Sequence, residues 1–149
     1  MTRRGIRETI FLIVFKAEFN NREDMEEQIQ FSIDKVVHPE EDPEDAALGE
    51  IGKIKDGDLS YIEEKSKKIL SMLPELDEVI GKAAEDWQIG RIGKPELAIL
   101  RLAVYEMLYD EEVPYKVAIN EAIELSKKYC NAETSGFINR VLAKVEEPA

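Results

Sequence analysis

Residues 97–108 are apolar in nearly every helical direction. Leu97, Ala98, Leu100, Leu102, Ala103, Val104, Tyr105, Met107 and Leu108 surround the helix, and only Arg101 and Glu106 interrupt them. A surface helix carries one apolar stripe, whereas a helix apolar on all sides must be covered on all sides. This segment therefore predicts a central helix with others packed around it.

The rest of the chain supplies those others. Residues 9–19 place Phe11, Val14, Phe15 and Phe19 at helical spacing, and Ile10, Ile13 and Ala17 widen the stripe. Asn20-Asn21 stops that helix, and Asn20 with Glu23 reads as a capping box for the next one. Met25, Ile29, Ile33 and Val36/Val37 continue in helical register until Pro39. Ser60 and Glu63 form a second capping box, followed by Ile62, Ile69, Leu70, Met72 and Leu73. Pro74 opens a further helix through Leu76, Val79, Ile80, Ala83, Ala84 and Trp87. Gly90 and Gly93 precede the central helix, which opens at Pro95. Pro114 starts another, with Tyr115, Ala118, Ile119, Ala122, Leu125 and Tyr129 on its apolar side. Cys130-Asn131-Ala132 breaks the chain before a last helix bearing Phe137, Ile138, Val141, Leu142 and Val145. No segment alternates with period two over a strand's length, and no internal repeat is evident. The expectation is all-α, about seven helices and no sheet. Residues 38–58 are acidic, with two prolines and three glycines. They predict a connection or subdomain boundary, with a short helix near 44–51 as the alternative.

Composition removes whole classes of function. Of 149 residues, one is Cys and one is His, too few for an internal disulfide or a Cys/His zinc site. No run of apolar residues approaches the ~18 of a membrane span, and residues 10–15 are too short a run for a signal sequence. The chain reads as a soluble, cytoplasmic protein of one domain or two small subdomains. No nucleophile elbow, His-Glu-x-x-His or phosphate loop is present, because Gly52-Lys53 and Gly93-Lys94 lack the following Ser or Thr. His38 beside Pro39 gives Ser/His or Cys/His catalysis little to work with. Carboxylates are abundant, but their pattern is that of solvated helix faces. Cys130 reads as a small residue at a helix end.

The net charge of −12 argues at first against nucleic acid. Resolved along the chain, it is uneven. Residues 1–17 carry Arg3, Arg4, Arg7 and Lys16 against Glu8, a net of +3, whereas residues 18–50 are −10. A basic arm thus precedes an acidic block. Three terminal arginines are also compatible with simple solvation.

The segment from Val113 through Pro114-Tyr115-Lys116-Val117-Ala118-Ile119-Asn120-Glu121-Ala122-Ile123-Glu124-Leu125-Ser126-Lys127-Lys128 to Tyr129 closely resembles the hallmark of the NusB transcription antitermination family. Arg3-Arg4 with Arg7-Glu8 resembles that family's N-terminal arginine-rich motif. Leu100-Arg101-Leu102-Ala103-Val104-Tyr105-Glu106-Met107 resembles its central helix, and Phe137-Ile138-Asn139 with Val141-Leu142 its last. The resemblance runs from about residue 3 to residue 144, and residues 22–58 match only in helical character. It implies two packed three-helix subdomains, about 1–73 and 74–149, with the arginine arm leading into the first helix. It also implies binding of boxA RNA together with the ribosomal protein NusE. Other Nus factors and RNA polymerase would be engaged through that pair, antiterminating transcription of ribosomal RNA operons. No cofactor, metal or catalytic activity is implied, and no membrane. Family members can self-associate as homodimers through the same surface. A related domain precedes some ribosomal RNA methyltransferases, of which this chain has no catalytic portion.

Carried over by position, Arg3, Arg4, Arg7, Phe15, Tyr129, Glu133, Thr134 and Phe137 are the implied RNA-binding residues, and Glu96 is the implied contact to NusE. Each has a local reading beside this one. Phe15, Tyr129 and Phe137 also fit the apolar stripes of their helices. Glu133 and Glu96 also suit the first turn of a helix, where a negative charge complements the dipole. Arg101 and Glu106 read as a structural charge arrangement. The sequence departs from the family pattern at Gly5, which replaces an arginine of the arm. It departs again at Gly136, where a lysine is usual, and at Arg140, where a glycine is usual. Arg140 lies one helical turn from Phe137 and can restore a cation there. The competing function is a helical protein–protein scaffold without RNA binding; an enzyme using clustered carboxylates is a third.

Overall fold

The computed structural model of the chain describes residues 2–19, 25–37, 55–85 and 88–145. Among them are seven α-helices and no strand. They are α1 (Arg3–Ala17), α2 (Met25–Val37), α3 (Asp58–Ser71), α4 (Leu73–Ala84), α5 (Lys94–Tyr109), α6 (Tyr115–Tyr129) and α7 (Ala132–Ala143), with a single 3₁₀ turn at Ile89–Arg91 before α5. The chain divides into two compact units, Met1–Ser71 with three helices and Met72–Ala149 with four. No helix among the described residues is long and apolar enough to cross a membrane. The connection expected at 38–58 lies outside the described residues as far as 54, as do the Asn20–Glu23 cap and Trp87.

In the first unit α1 packs on both α2 and α3. Ile10, Phe11, Ile13 and Val14 are buried with Ile29 and Ile33 of α2 and Ile62, Ile69 and Leu70 of α3. Each such side chain contributes roughly 1.5–3 kcal/mol by leaving water. The helix begins at Arg3, six residues before the apolar run from which it was expected. Thr2 is extended and its Oγ1 accepts from the Gly5 amide at 2.9 Å, satisfying one of the donors a helix start leaves open. Apolar periodicity is blind to this first turn because its residues are polar.

α3 likewise starts earlier than the Ser60 capping box predicts. Gly57 takes φ +91°, a backbone that favours glycine. The Tyr61 amide then donates to the Gly57 carbonyl at 2.9 Å. Asp58 Oδ2 closes the turn by accepting from the Lys55 amide at 2.7 Å. Ser60 is therefore already inside the helix. Lys67 ties α3 to α2 by donating to Glu63 at 2.9 Å and Glu26 at 3.2 Å. These two bonds, that to Glu63 foremost, hold its ammonium above the usual lysine range.

In the second unit α5 packs against α4, α6 and α7. Every residue from Leu97 to Met107 is buried, which is what its all-round apolar pattern requires. Pro74 and Pro95 sit in the first turns of α4 and α5, where the missing N–H costs nothing. α4 stops at Ala84, short of Trp87, because Glu85 turns to φ +42°. The one buried arginine of α5 has its counter-charge on α4: Arg101 Nε and Nη2 donate to Asp77 Oδ1 and Oδ2, each at 2.8 Å. Tyr115 at the start of α6 donates its hydroxyl to the Val145 carbonyl.

Candidate functional site

The implied RNA residues fall in both units, and each group has its own setting. In the first unit Arg3 and Arg4 occupy the first turn of α1 and are exposed; Arg7 is half-buried one turn later. The basic segment is thus helical, not an arm ahead of the helix. Cations at a helix N-terminus oppose the macrodipole, at roughly 0.3–1 kcal/mol each.

Arg7, Phe11 and Phe15 follow at intervals of four, so they share one face of α1, and Phe19 follows in the turn beyond it. Phe11 is 1% exposed and stacks on Phe15 at a centroid distance of 6.2 Å. Phe15 meets Phe19 edge-on at 5.3 Å, and Phe19 is 63% exposed. Phe15 is half-buried. It is the middle rung of a ladder running from the core to solvent, so the core reading and the surface reading each describe one side of its ring.

In the second unit two separate segments line a groove of about 280 Å³. The segment that ends the 3₁₀ turn and opens α5 contributes Arg91, Gly93 and Glu96. The start of α7 contributes Asn131, Glu133, Thr134, Phe137 and Arg140. Glu133, Phe137 and Arg140 are spaced i, i+4, i+7, one face of α7. Asn131 caps that helix: its Oδ1 accepts from the Thr134 amide at 2.9 Å and from the Thr134 hydroxyl at 3.0 Å. The Thr134 hydroxyl proton is therefore committed, and toward a ligand this oxygen acts as an acceptor. Ser126 and Ser135, whose hydroxyls are 2.7 Å apart, link α6 to the same turn of α7.

Glu96 is turned back on its own helix start. Its Oε2 lies 2.1 Å from where a Cβ at position 93 would stand, so Gly93 leaves room for the carboxylate. The Cys130 thiol is half-buried within reach of that carboxylate's charge. Burial, then the charge of Glu96, push the thiol up to about 12. Cys130 is accordingly a neutral thiol and not a nucleophile, since reactivity requires the thiolate.

The groove thus brings together Glu96, Glu133, Thr134 and Phe137, four of the expected positions, from segments more than thirty residues apart. Tyr129 does not line it. That residue is half-buried at the end of α6, with Lys128 Nζ 5.6 Å from its ring centroid. Sequence reasoning missed Arg91 and Asn131. Asn131 carried a signal, an Asn three residues before Thr134 at a helix start; Arg91, in a glycine-flanked turn, carried none. Among the described residues no group of three His, Cys, Asp or Glu is placed to hold a metal ion.

The model of the NusB family matches residues 4–147. The transcription antitermination protein NusB of Agathobacter rectalis is 38% identical over 144 residues, covering 97% of this chain and 98% of that protein. The NusB protein of Lachnoclostridium phytofermentans is 40% identical over 147 residues, with 97% and 98% covered. Among solved structures, NusB of T. maritima superposes with a TM-score of 0.75 at 26% identity, covering 97% of this chain and 90% of that one. A complex of the antitermination factors NusB and NusE with double-stranded RNA contains a chain of the same fold, with a TM-score of 0.75 at 23% identity, over 96% of this chain and 94% of that one. The match spans both units and nearly the whole length of its relatives, and by it this chain belongs to the NusB family.

Proposed function

We propose that this protein is a cytoplasmic transcription antitermination factor that binds boxA RNA together with the ribosomal protein NusE. Through that complex it engages other Nus factors and RNA polymerase and supports transcription of ribosomal RNA operons. The observation that carries the reading is the groove of the second unit. There the implied NusE contact Glu96 and the implied RNA residues Glu133, Thr134 and Phe137 line one surface. The N-terminal arginines support it, because Arg3 and Arg4 are exposed cations in the first turn of α1, placed to meet phosphates. Phe137 offers a ring for an unpaired base, and Thr134 and Glu133 offer acceptors for base amino groups or ribose hydroxyls.

Filter binding of boxA RNA across a range of salt concentrations, with and without NusE, tests the proposal. Binding above a scrambled RNA, strengthened by NusE and weakened by salt, is expected. No preference for boxA in either condition would leave a protein–protein scaffold as the better reading.

A further inference from the structure

Four charged side chains line the groove of the second unit, and they are not equivalent. Glu96 is folded onto Gly93, in the first turn of its own helix. Glu133 lies in the first turn of α7, where its charge meets the helix dipole. Both acids are held by their own surroundings. The two arginines are not: Arg91 and Arg140 are exposed, and neither forms a salt bridge with a described residue. They come from different segments, Arg91 from the 3₁₀ turn and Arg140 from α7. Phe137 lies one helical turn before Arg140 and lines the same groove. Thr134, the hydroxyl-bearing residue of the lining, donates its proton to Asn131.

We infer that Arg91 and Arg140 form a two-arginine clamp for a backbone phosphate of single-stranded RNA, with the adjoining base on Phe137. The inference rests on the RNA reading above and assigns it two residues outside the arginine-rich segment. Guanidinium forks match phosphate oxygens in pairs, and with Thr134 spent these are the groove's strong donors. A nucleotide suits the lining better than an acidic peptide does. It brings one anion for the arginines, and its amino and hydroxyl donors meet the carboxylate of Glu133 beside that of Glu96. Carboxylates of a peptide would meet those same acids as like charges. The clamp also supplies a cation one helical turn from Phe137, where Gly136 lacks one.

The test uses the full-length protein and fluorescein-labelled single-stranded boxA RNA, followed by anisotropy with NusE present. Arg91→Ala and Arg140→Ala are each expected to weaken binding roughly tenfold and to lower the salt slope by about 0.7. Arg140→Lys is expected to recover the slope but only part of the affinity, since an ammonium cannot fork. RNAs carrying a single neutral methylphosphonate are then scanned. One position is expected to weaken the parent protein and leave the Arg91→Ala/Arg140→Ala variant unaffected. Unchanged affinity and slope in that variant, with the parent binding normally, would overturn the clamp and leave the RNA reading standing. Unchanged RNA binding with reduced NusE affinity by calorimetry would assign the arginines to the protein partner and overturn it too. A parent protein that binds no boxA RNA, alone or with NusE, would remove the RNA reading and the clamp with it.

Discussion

Arg101 on α5 grips Asp77 on α4 through two parallel hydrogen bonds of 2.8 Å. The arginine side chain is 7% exposed and the aspartate 25%. A planar guanidinium and a carboxylate meet here in the geometry each prefers, at the edge of the most apolar helix of the chain. Taking both charges out of water offsets much of what their attraction contributes, but removing one partner strands the other.

Asp77→Ala is therefore expected to destabilise the protein by about 3 kcal/mol. Replacing both residues together, as Asp77→Ala with Arg101→Met, should cost less than Asp77→Ala alone. Urea denaturation of the two variants checks this; equal losses would mean that the arginine finds water or another partner.

The arginines at the start of α1 lead to a different outcome. Arg3→Ala with Arg4→Ala should weaken boxA binding and lower the salt slope by about 1.4, corresponding to two lost contacts to single-stranded RNA. Helical content should stay the same or rise slightly, because two cations leave the positive end of a helix. Circular dichroism and salt-dependent filter binding measure the two effects, and an unchanged slope would place the RNA elsewhere.

Glu96 faces the groove from the first turn of α5. Glu96→Lys is expected to abolish NusE binding while boxA binding by the free protein is kept or improved, since a negative charge beside the RNA becomes positive. Stability should fall only modestly, by about 0.5–1 kcal/mol, from the reversed interaction with the helix dipole. Calorimetry showing normal NusE affinity would refute the assignment.

Cys130 provides a reading of the same carboxylate. With its thiol pushed up to about 12, the folded protein should react with iodoacetamide at pH 8 far more slowly than a free cysteine, and at the free rate once unfolded in urea. The sign of the linkage follows. The thiol's folded value is raised above its unfolded one, so its contribution to stability is complete below about pH 9 and is lost as pH rises toward 12. Glu96→Gln removes the nearby charge and should speed alkylation of the folded protein. Equal rates in the two proteins would show that burial alone protects the thiol.

Much of this architecture was legible in single residues. The prolines at 74, 95 and 114 mark helix starts because a ring without an N–H fits only there. The all-round apolar pattern of residues 97–107 demanded a central position, and α5 has one. Boundaries were harder where polar side chains made the turn. Thr2 moved the start of α1 forward to the arginines, and Asp58 with Gly57 did the same for α3. These are contacts between particular atoms over three or four residues, and hydrophobic periodicity does not record them.

By itself, the sequence determined the helical class, the order and spacing of the helices, the family, and the position of its one basic segment within an acidic chain. Those properties depend on patterns that repeat locally and on length. The tertiary structure alone decided that Glu96 and Arg91 meet the start of α7, that Asn131 claims the Thr134 proton, and that Glu96 folds back onto Gly93. Such pairings depend on how one helix is rotated against another. That rotation is set by the packing of buried side chains rather than by the polar residues that use it.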